Sequence, residues 1–176
     1  MSKFICSGNI YELVGEKEDV ITLSISLHNL PSQIEAEGYT LYFPNFFHVS
    51  LVYIGRLIEK YKIAIPDFKN RIIKDFCEFT KIHNVELVCY SDNYRFVSKP
   101  DRDIKTVVVL CEISNLDKFF YLINKKYTLK IKPMTTHVTL YNTAKGEPGM
   151  YLMDEDDLRS FTKQIKNPLG FSLEKI

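Results

Sequence analysis

Alanine is nearly missing from this chain of 176 residues, which has Ala36, Ala64 and Ala144 and no others. Ile, Lys, Asn, Phe and Tyr are abundant instead; their codons are rich in A and T, as in the genomes of some phages, parasites and low-GC bacteria. Charge of one sign is missing too. Lys and Arg number 23 against 22 Asp and Glu, for a formal net charge of +1. That balance excludes a protein that coats extended duplex nucleic acid through its phosphates, while leaving room for a local basic patch. The cysteines Cys6, Cys77, Cys89 and Cys111 have no Cys-x-x-Cys spacing and sit mostly in apolar runs, so they read as reduced, buried thiols of an intracellular protein. No carboxylate or Cys/His cluster has ligand spacing, so neither metal nor cofactor is expected. No apolar run nears the ~20 residues of a membrane span, and residues 1–9 lack a charged start followed by an apolar block. The expectation is a cytoplasmic, monomeric protein without membrane contact. With no low-complexity stretch and no long linker, residues 1–176 read as a single domain.

What is present is a duplicated pattern. Phe47-His48-Val49-Ser50-Leu51 and Thr136-His137-Val138-Thr139-Leu140 both read His, apolar, hydroxyl, apolar. Both lie in runs rich in β-branched and aromatic residues, which predicts strands. Side chains i and i+2 of a strand share a face, so His48 points with Ser50 and His137 with Thr139, while Val49, Leu51, Val138 and Leu140 face a core. Ser and Thr make up about an eighth of the chain, so one His-x-hydroxyl match says little; two with both apolar positions filled has a chance of a few in a thousand. His28 and His83 lack the pattern and serve as internal controls.

In these two motifs, their separation and the order of strands and helices between them, residues 20–143 resemble the two-histidine (2H) phosphoesterases. This family includes RNA ligase-like and 2′,3′-cyclic nucleotide phosphodiesterase-like proteins. The first motif carries Ser50 where Thr is commoner, and Thr136 stands before His137 where an apolar residue or Pro is usual. The resemblance implies an α+β fold. It would be a single bilobal domain with two pseudo-twofold-related antiparallel sheets, a central cleft, helices outside, and lobes built around motif strands 46–54 and 136–142. It also implies cleavage of a 2′-linked phosphodiester.

The rest of the chain fits that order. Residues 3–6 and 20–27 read as strands, and 31–38 as at most two helical turns closed by Gly38. The first motif strand stops at Gly55. Pro66 opens a helix with an apolar stripe of Phe68, Ile72, Phe76 and Phe79, and His83 sits at its C-terminus. Residues 85–90 and 94–97 flank a hairpin loop at 91–93. Residues 104–113 form the most apolar strand, and Ser114 with Asp117 reads as the start of a helix carrying Leu116, Phe119, Phe120, Ile123 and Tyr127. The acidic run 154–157 fits the N-terminus of a last helix, with Leu158, Phe161 and Ile165 inside.

Two imidazoles on opposite sides of a phosphate suit in-line displacement, one as base on the attacking oxygen and one as acid on the leaving oxygen. His48 and His137 are the candidates for those roles, and Ser50 and Thr139 for hydrogen bonds to the non-bridging oxygens. Alternation adds Phe46 and Tyr141 to the site faces, and Tyr141 is the first choice to stack on a base. Tyr42 is a further binding candidate; Arg95 and Phe96 are weaker, and Lys130, Lys132 and Arg56 could form a basic rim. The expected activity is metal-independent hydrolysis of a 2′,3′-cyclic nucleotide, an RNA end or a 2′-5′ oligonucleotide. A cyclic or 2′-5′ oligonucleotide signal of antiviral defence is an alternative substrate. A nucleotide-binding module without turnover is the alternative of another class.

Overall fold

The computed structural model describes residues 2–6, 9–15, 17, 19–146 and 149–174, and these form a mixed α/β fold of four helices and ten strands. The strands are β1 (Ser2–Cys6), β2 (Asn9–Val14), β3 (Val20–Ile25), β4 (Gln33–Ala36), β5 (Tyr39–Tyr42), β6 (Phe47–Tyr53), β7 (Leu87–Ser98), β8 (Lys105–Ile113), β9 (His137–Asn142) and β10 (Thr162–Ile165). The helices are α1 (Ile54–Tyr61), α2 (Phe68–Thr80), α3 (Leu116–Tyr127) and α4 (Glu155–Phe161). Two antiparallel sheets were expected. Instead the ten strands belong to one open hydrogen-bonded sheet, ordered β1-β2-β3-β6-β9-β8-β7-β10, with β5 joining the β4–β5 hairpin to β9. No described helix is long and apolar enough to cross a membrane.

The chain divides into two compact units. The first comprises Met1–Leu23, Ser50–Glu86 and Ile113–Met134. Its core is a set of edge-on aromatic rings: Phe76 lies 4.9 Å from Tyr11 and 5.2 Å from Phe119, both near perpendicular. The stripe predicted for α2 is the buried one, since Phe68, Ile72, Phe76 and Phe79 all face inward. Helix α1 was not expected, because Gly55 reads as a strand stop. Gly55 instead lets the first turn of α1 lie against Asp19: an added Cβ would stand 2.9 Å from Asp19 Cγ and nearer still to its carboxylate oxygen. Ile54 N–H donates to Asp19 O (2.8 Å) at the same place. Ser114 is not the cap of α3. Its hydroxyl donates to Asn84 O (2.8 Å) and accepts from Glu86 N–H (3.0 Å), leaving Asn115 as N-cap with φ 57°.

The cysteine reading needs correction. Cys6 and Cys77 form a disulfide across 71 residues of sequence, tying β1 to α2. The pairing was invisible in the chain because it depends on how β1 packs on the helix. Cys89 is free and exposed, and Cys111 is free and buried.

The second unit comprises Ser24–Val49, Leu87–Glu112 and Thr135–Ile176. Residues 33–42, expected to begin with a short helix, form a hairpin. Glu37 (φ 52°) and Gly38 (φ 81°) both take positive φ, the requirement of a tight two-residue turn whose twist matches its strands. The loop expected at 91–93 is absent, and β7 runs through it as one strand of 12 residues. Ser91 is held there by donating to Leu110 O (2.9 Å). Helix α4 starts as the acidic run predicts, with the Asp154 carboxylate accepting from Asp156 N–H and Asp157 N–H. Ile165 lies beyond that helix, in β10.

The disulfide sets an expected thiol count. Native, unreduced protein should show Cys89 as one fast-reacting thiol and Cys111 only after denaturation, with all four cysteines appearing after denaturation and reduction. Cys77→Ser should lower unfolding free energy by up to about 4 kcal/mol, the chain-entropy estimate for a loop of this length, as read by urea denaturation.

Candidate active site

The motif strands are antiparallel neighbours, and Val49 stands opposite Val138. Residues directly opposite share a face, so these two fully buried valines point one way. The residues on either side of them must point the other way. In the second unit, that places His48, His137 and Thr139 together on one sheet face. His48 falls beside Thr139 and one diagonal step from His137, a separation of about 7–8 Å between backbones. Two imidazoles reaching inward from that distance can bracket one phosphate. Ser50, two residues after His48 in the sequence, is the first residue of the other unit.

His137, for which the resemblance implied a place at a central cleft, is buried, at 6% exposure. Its Nδ1 lies 3.1 Å from Thr135 O, so the Nδ1–H tautomer is the bonded one and Nε2 carries the lone pair. The Met150 peptide also bonds the ring and favours its protonated form, which makes the carbonyl the contacting group. Burial outweighs both carbonyls and lowers the pKa of the ring below its ordinary value, with the Lys99 ammonium adding to the effect. His137 is therefore neutral at physiological pH. That is the state of a base.

His48 is half-buried, and Phe46 stacks on it with ring centroids 5.3 Å apart at 27°. Phe46 is itself 42% exposed, so one face of it supports the imidazole while the rest stays open to solvent. Tyr42 stands opposite Asn142, and Asn142 stands opposite Thr106, which brings Tyr42 to the motif face.

Tyr141 does not share the face of His48 and His137. The register of β8 on β9 slips by one residue, Val107 facing Tyr141 and Val108 facing Thr139. Leu140 is the extra residue of this β-bulge, and it reverses the alternation on which the assignment of Tyr141 rested. Tyr141 consequently points to the opposite face, fully buried, with its hydroxyl donating to Pro31 O (2.9 Å). Of the weaker candidates, Phe96 is buried and stacks on Tyr39 at 5.8 Å, and Lys130, Lys132 and Arg56 belong to the first unit.

Sequence reasoning missed the residues around His137. Lys99, read as part of a charged loop, is 6% exposed, with Nζ 3.4 Å from Asp157 Oδ2 and 3.8 Å above the Tyr151 ring. A lysine directly after an alternating strand carried no signal of burial. Residues 149–153 lie along the motif face: Met150 and Leu152 pack with Val97 and Val108, and Gly149 touches Thr139. Among the described residues, no three His, Cys, Asp or Glu side chains gather as a metal site. No protein-family model, curated protein or solved structure matches this chain.

Two outcomes follow from this geometry. Tyr141→Phe should cost about 1 kcal/mol of stability, one hydrogen bond, and leave substrate affinity untouched. The pH dependence of His137 has a definite sign. The folded ring stays neutral below pH ~6.5, where the unfolded ring takes up a proton. Urea-derived stability should therefore be insensitive to this group above that pH and fall on acidification below it. His137→Gln should remove this share of the acid loss.

Proposed function

We propose that this chain is a metal-independent phosphodiesterase that cleaves a 2′-linked nucleotide phosphodiester by two-histidine acid–base catalysis. The supporting observation is the register of β6 on β9, which gathers both motif histidines and Thr139 on one face. The substrate class comes from the resemblance to the 2H phosphoesterases: a 2′,3′-cyclic nucleotide, an RNA end, or a short 2′-5′ or cyclic oligonucleotide. The pseudo-twofold arrangement of two lobes about a cleft belongs to the same reading, as does a monomer. So does a cytoplasmic location, against which the Cys6–Cys77 bridge weighs, since disulfides persist in oxidising compartments.

The roles of the two histidines can now be divided. With Nδ1–H committed to Thr135 O, neutral His137 takes the proton from the attacking oxygen on Nε2. His48, half-buried and stacked on Phe46, protonates the leaving oxygen. The Thr139 and Ser50 hydroxyls donate to the non-bridging oxygens and steady the charge that builds there. One proton passes from the attacking oxygen to His137 and one from His48 to the leaving oxygen, and exchange with solvent resets both rings. The reaction needs no metal for proton transfer.

A panel of 2′,3′-cyclic mononucleotides, 2′-5′ oligoadenylate and cyclic oligonucleotides, assayed in excess EDTA, tests the reading. Turnover of at least one should proceed undiminished; activity that only Mg²⁺ or Mn²⁺ restores would move the protein to another class. His48→Ala and His137→Gln should each lower kcat/KM by about two to four orders of magnitude. On a nitrophenyl diester, whose leaving group needs no protonation, His48→Ala should lose little while His137→Gln keeps its full loss. The reverse pattern would exchange the roles. Equal losses would point to joint phosphate binding without acid–base division, the behaviour of a binding module.

A further inference from the structure

The buried His137 and the half-buried Thr139 both meet one segment of the same chain. Residues 149–153 leave the loop after β9 and run back over its motif face. Gly149 lies against Thr139 so closely that an added Cβ would stand 3.0 Å from Thr139 Cβ and nearer still to its hydroxyl and methyl. The neighbouring Met150 peptide bonds the His137 ring. The site hydroxyl and the site imidazole thus meet consecutive residues of the segment, where a phosphodiester would have to lie.

The attachment of the segment is uneven. At its far end, Met153 N–H donates to Asp157 Oδ2 (2.9 Å), Met153 O accepts from Thr135 N–H (3.3 Å), and Leu152 is fully buried against Val97 and Val108. At the near end, Met150 N–H reaches Thr106 Oγ1 only at 3.4 Å, and Gly149 has no side chain to anchor it. Among the described contacts, lifting Gly149 and Met150 breaks the Met150–Thr106 hydrogen bond, the Met150 bond to the His137 ring and the packing of the Met150 side chain, while residues 152–153 stay as the hinge. Rupture at the near end releases both the contact on Thr139 and the Met150 bond to the His137 ring.

We infer that residues 149–153 form a strap that occupies the phosphodiester position on Thr139 and His137, and that its Gly149–Met150 end must lift before those side chains can be reached. Its role as a gate rests on the phosphodiesterase reading; its covering of the two side chains does not. Glycine at 149 is what allows so close an approach, since any side chain would force the backbone off Thr139.

Diethyl pyrocarbonate, which carbethoxylates accessible neutral imidazole, separates the two ideas. Modification of each histidine is followed by peptide mass spectrometry, with His48 as reference. In the unaltered protein His137 should react much more slowly than His48. Gly149→Ala forces a methyl against Thr139 and should raise the His137 rate by roughly tenfold, the factor expected when one methyl is overpacked. Leu152→Ala loosens the hinge contacts and should raise it as well, which keeps the test available if the first variant fails to fold by circular dichroism. Both variants should turn over the panel substrate at least as fast as the parent at limiting concentration. If His137 reacts as fast as His48 in the parent, or neither folded variant exposes it, the strap is wrong, whether or not nucleotides are cleaved. Exposure of His137 accompanied by a drop in kcat/KM in both variants would also overturn the gate. If exposure rises and no protein in the set cleaves any nucleotide, the strap stands and the phosphodiesterase reading falls.

Discussion

The contact between Val49 and Val138 decides the rest of the arrangement. Each is fully buried, and each sits in the middle of a His-x-hydroxyl triplet. Since apolar residues at the centre of both triplets must face the core, the flanking polar residues are driven to the other face of the sheet. The polar face is thus a by-product of apolar packing. A slip of one residue in this pairing would turn the motif side chains of one strand inward and leave the other strand's pattern without its partner.

Burial then separates two histidines that the sequence makes look equivalent. Both motifs have the same pattern, yet one ring is half-exposed and stacked on a phenylalanine, while the other is shielded and held by two backbone carbonyls. The lowered pKa of His137 arises without any difference in the motif. It comes from what covers each strand, and the cover of His137 is drawn from residues about a dozen positions downstream together with Lys99, which lies on the far side of β8 in sequence.

Much of this was legible in the chain, and the losses have specific causes. Patterns that depend on one element alone came through: the α2 stripe from Phe68 to Phe79, the apolar run of β8, the two motif strands and the Asp154 cap of α4. Misreadings occurred where a local signal is shared by two structures. Gly38 closes a helix or makes a hairpin turn, and only the positive φ of Glu37 beside it tells which. Ser114 can cap a helix or bond a neighbouring segment, and the position of Asn84 and Glu86, just before β7, chose the second. The site suffered in the same way. The shared face of His48, His137 and Thr139 was readable from alternation, whereas the turn of Tyr141 away from it was not, because a bulge breaks alternation without leaving a mark in composition. Lys99, Gly149 and the Cys6–Cys77 bridge are long-range pairings that no local pattern encodes.

The bulge at Leu140 has a consequence for how this strand can vary. Before it, β9 is in phase with the motif face; after it, Tyr141 is in phase with the opposite layer, where it is moored to Pro31. One extra residue works as a clutch between two rotational settings of a single strand. Loss of that residue would leave every chemical group in the chain and still force a choice, either turning Tyr141 out of its mooring or rotating His137 and Thr139 away from His48. A deletion of one apolar residue that carries no chemistry therefore breaks up the shared face, and a comparison that scored only the motif residues would find nothing wrong.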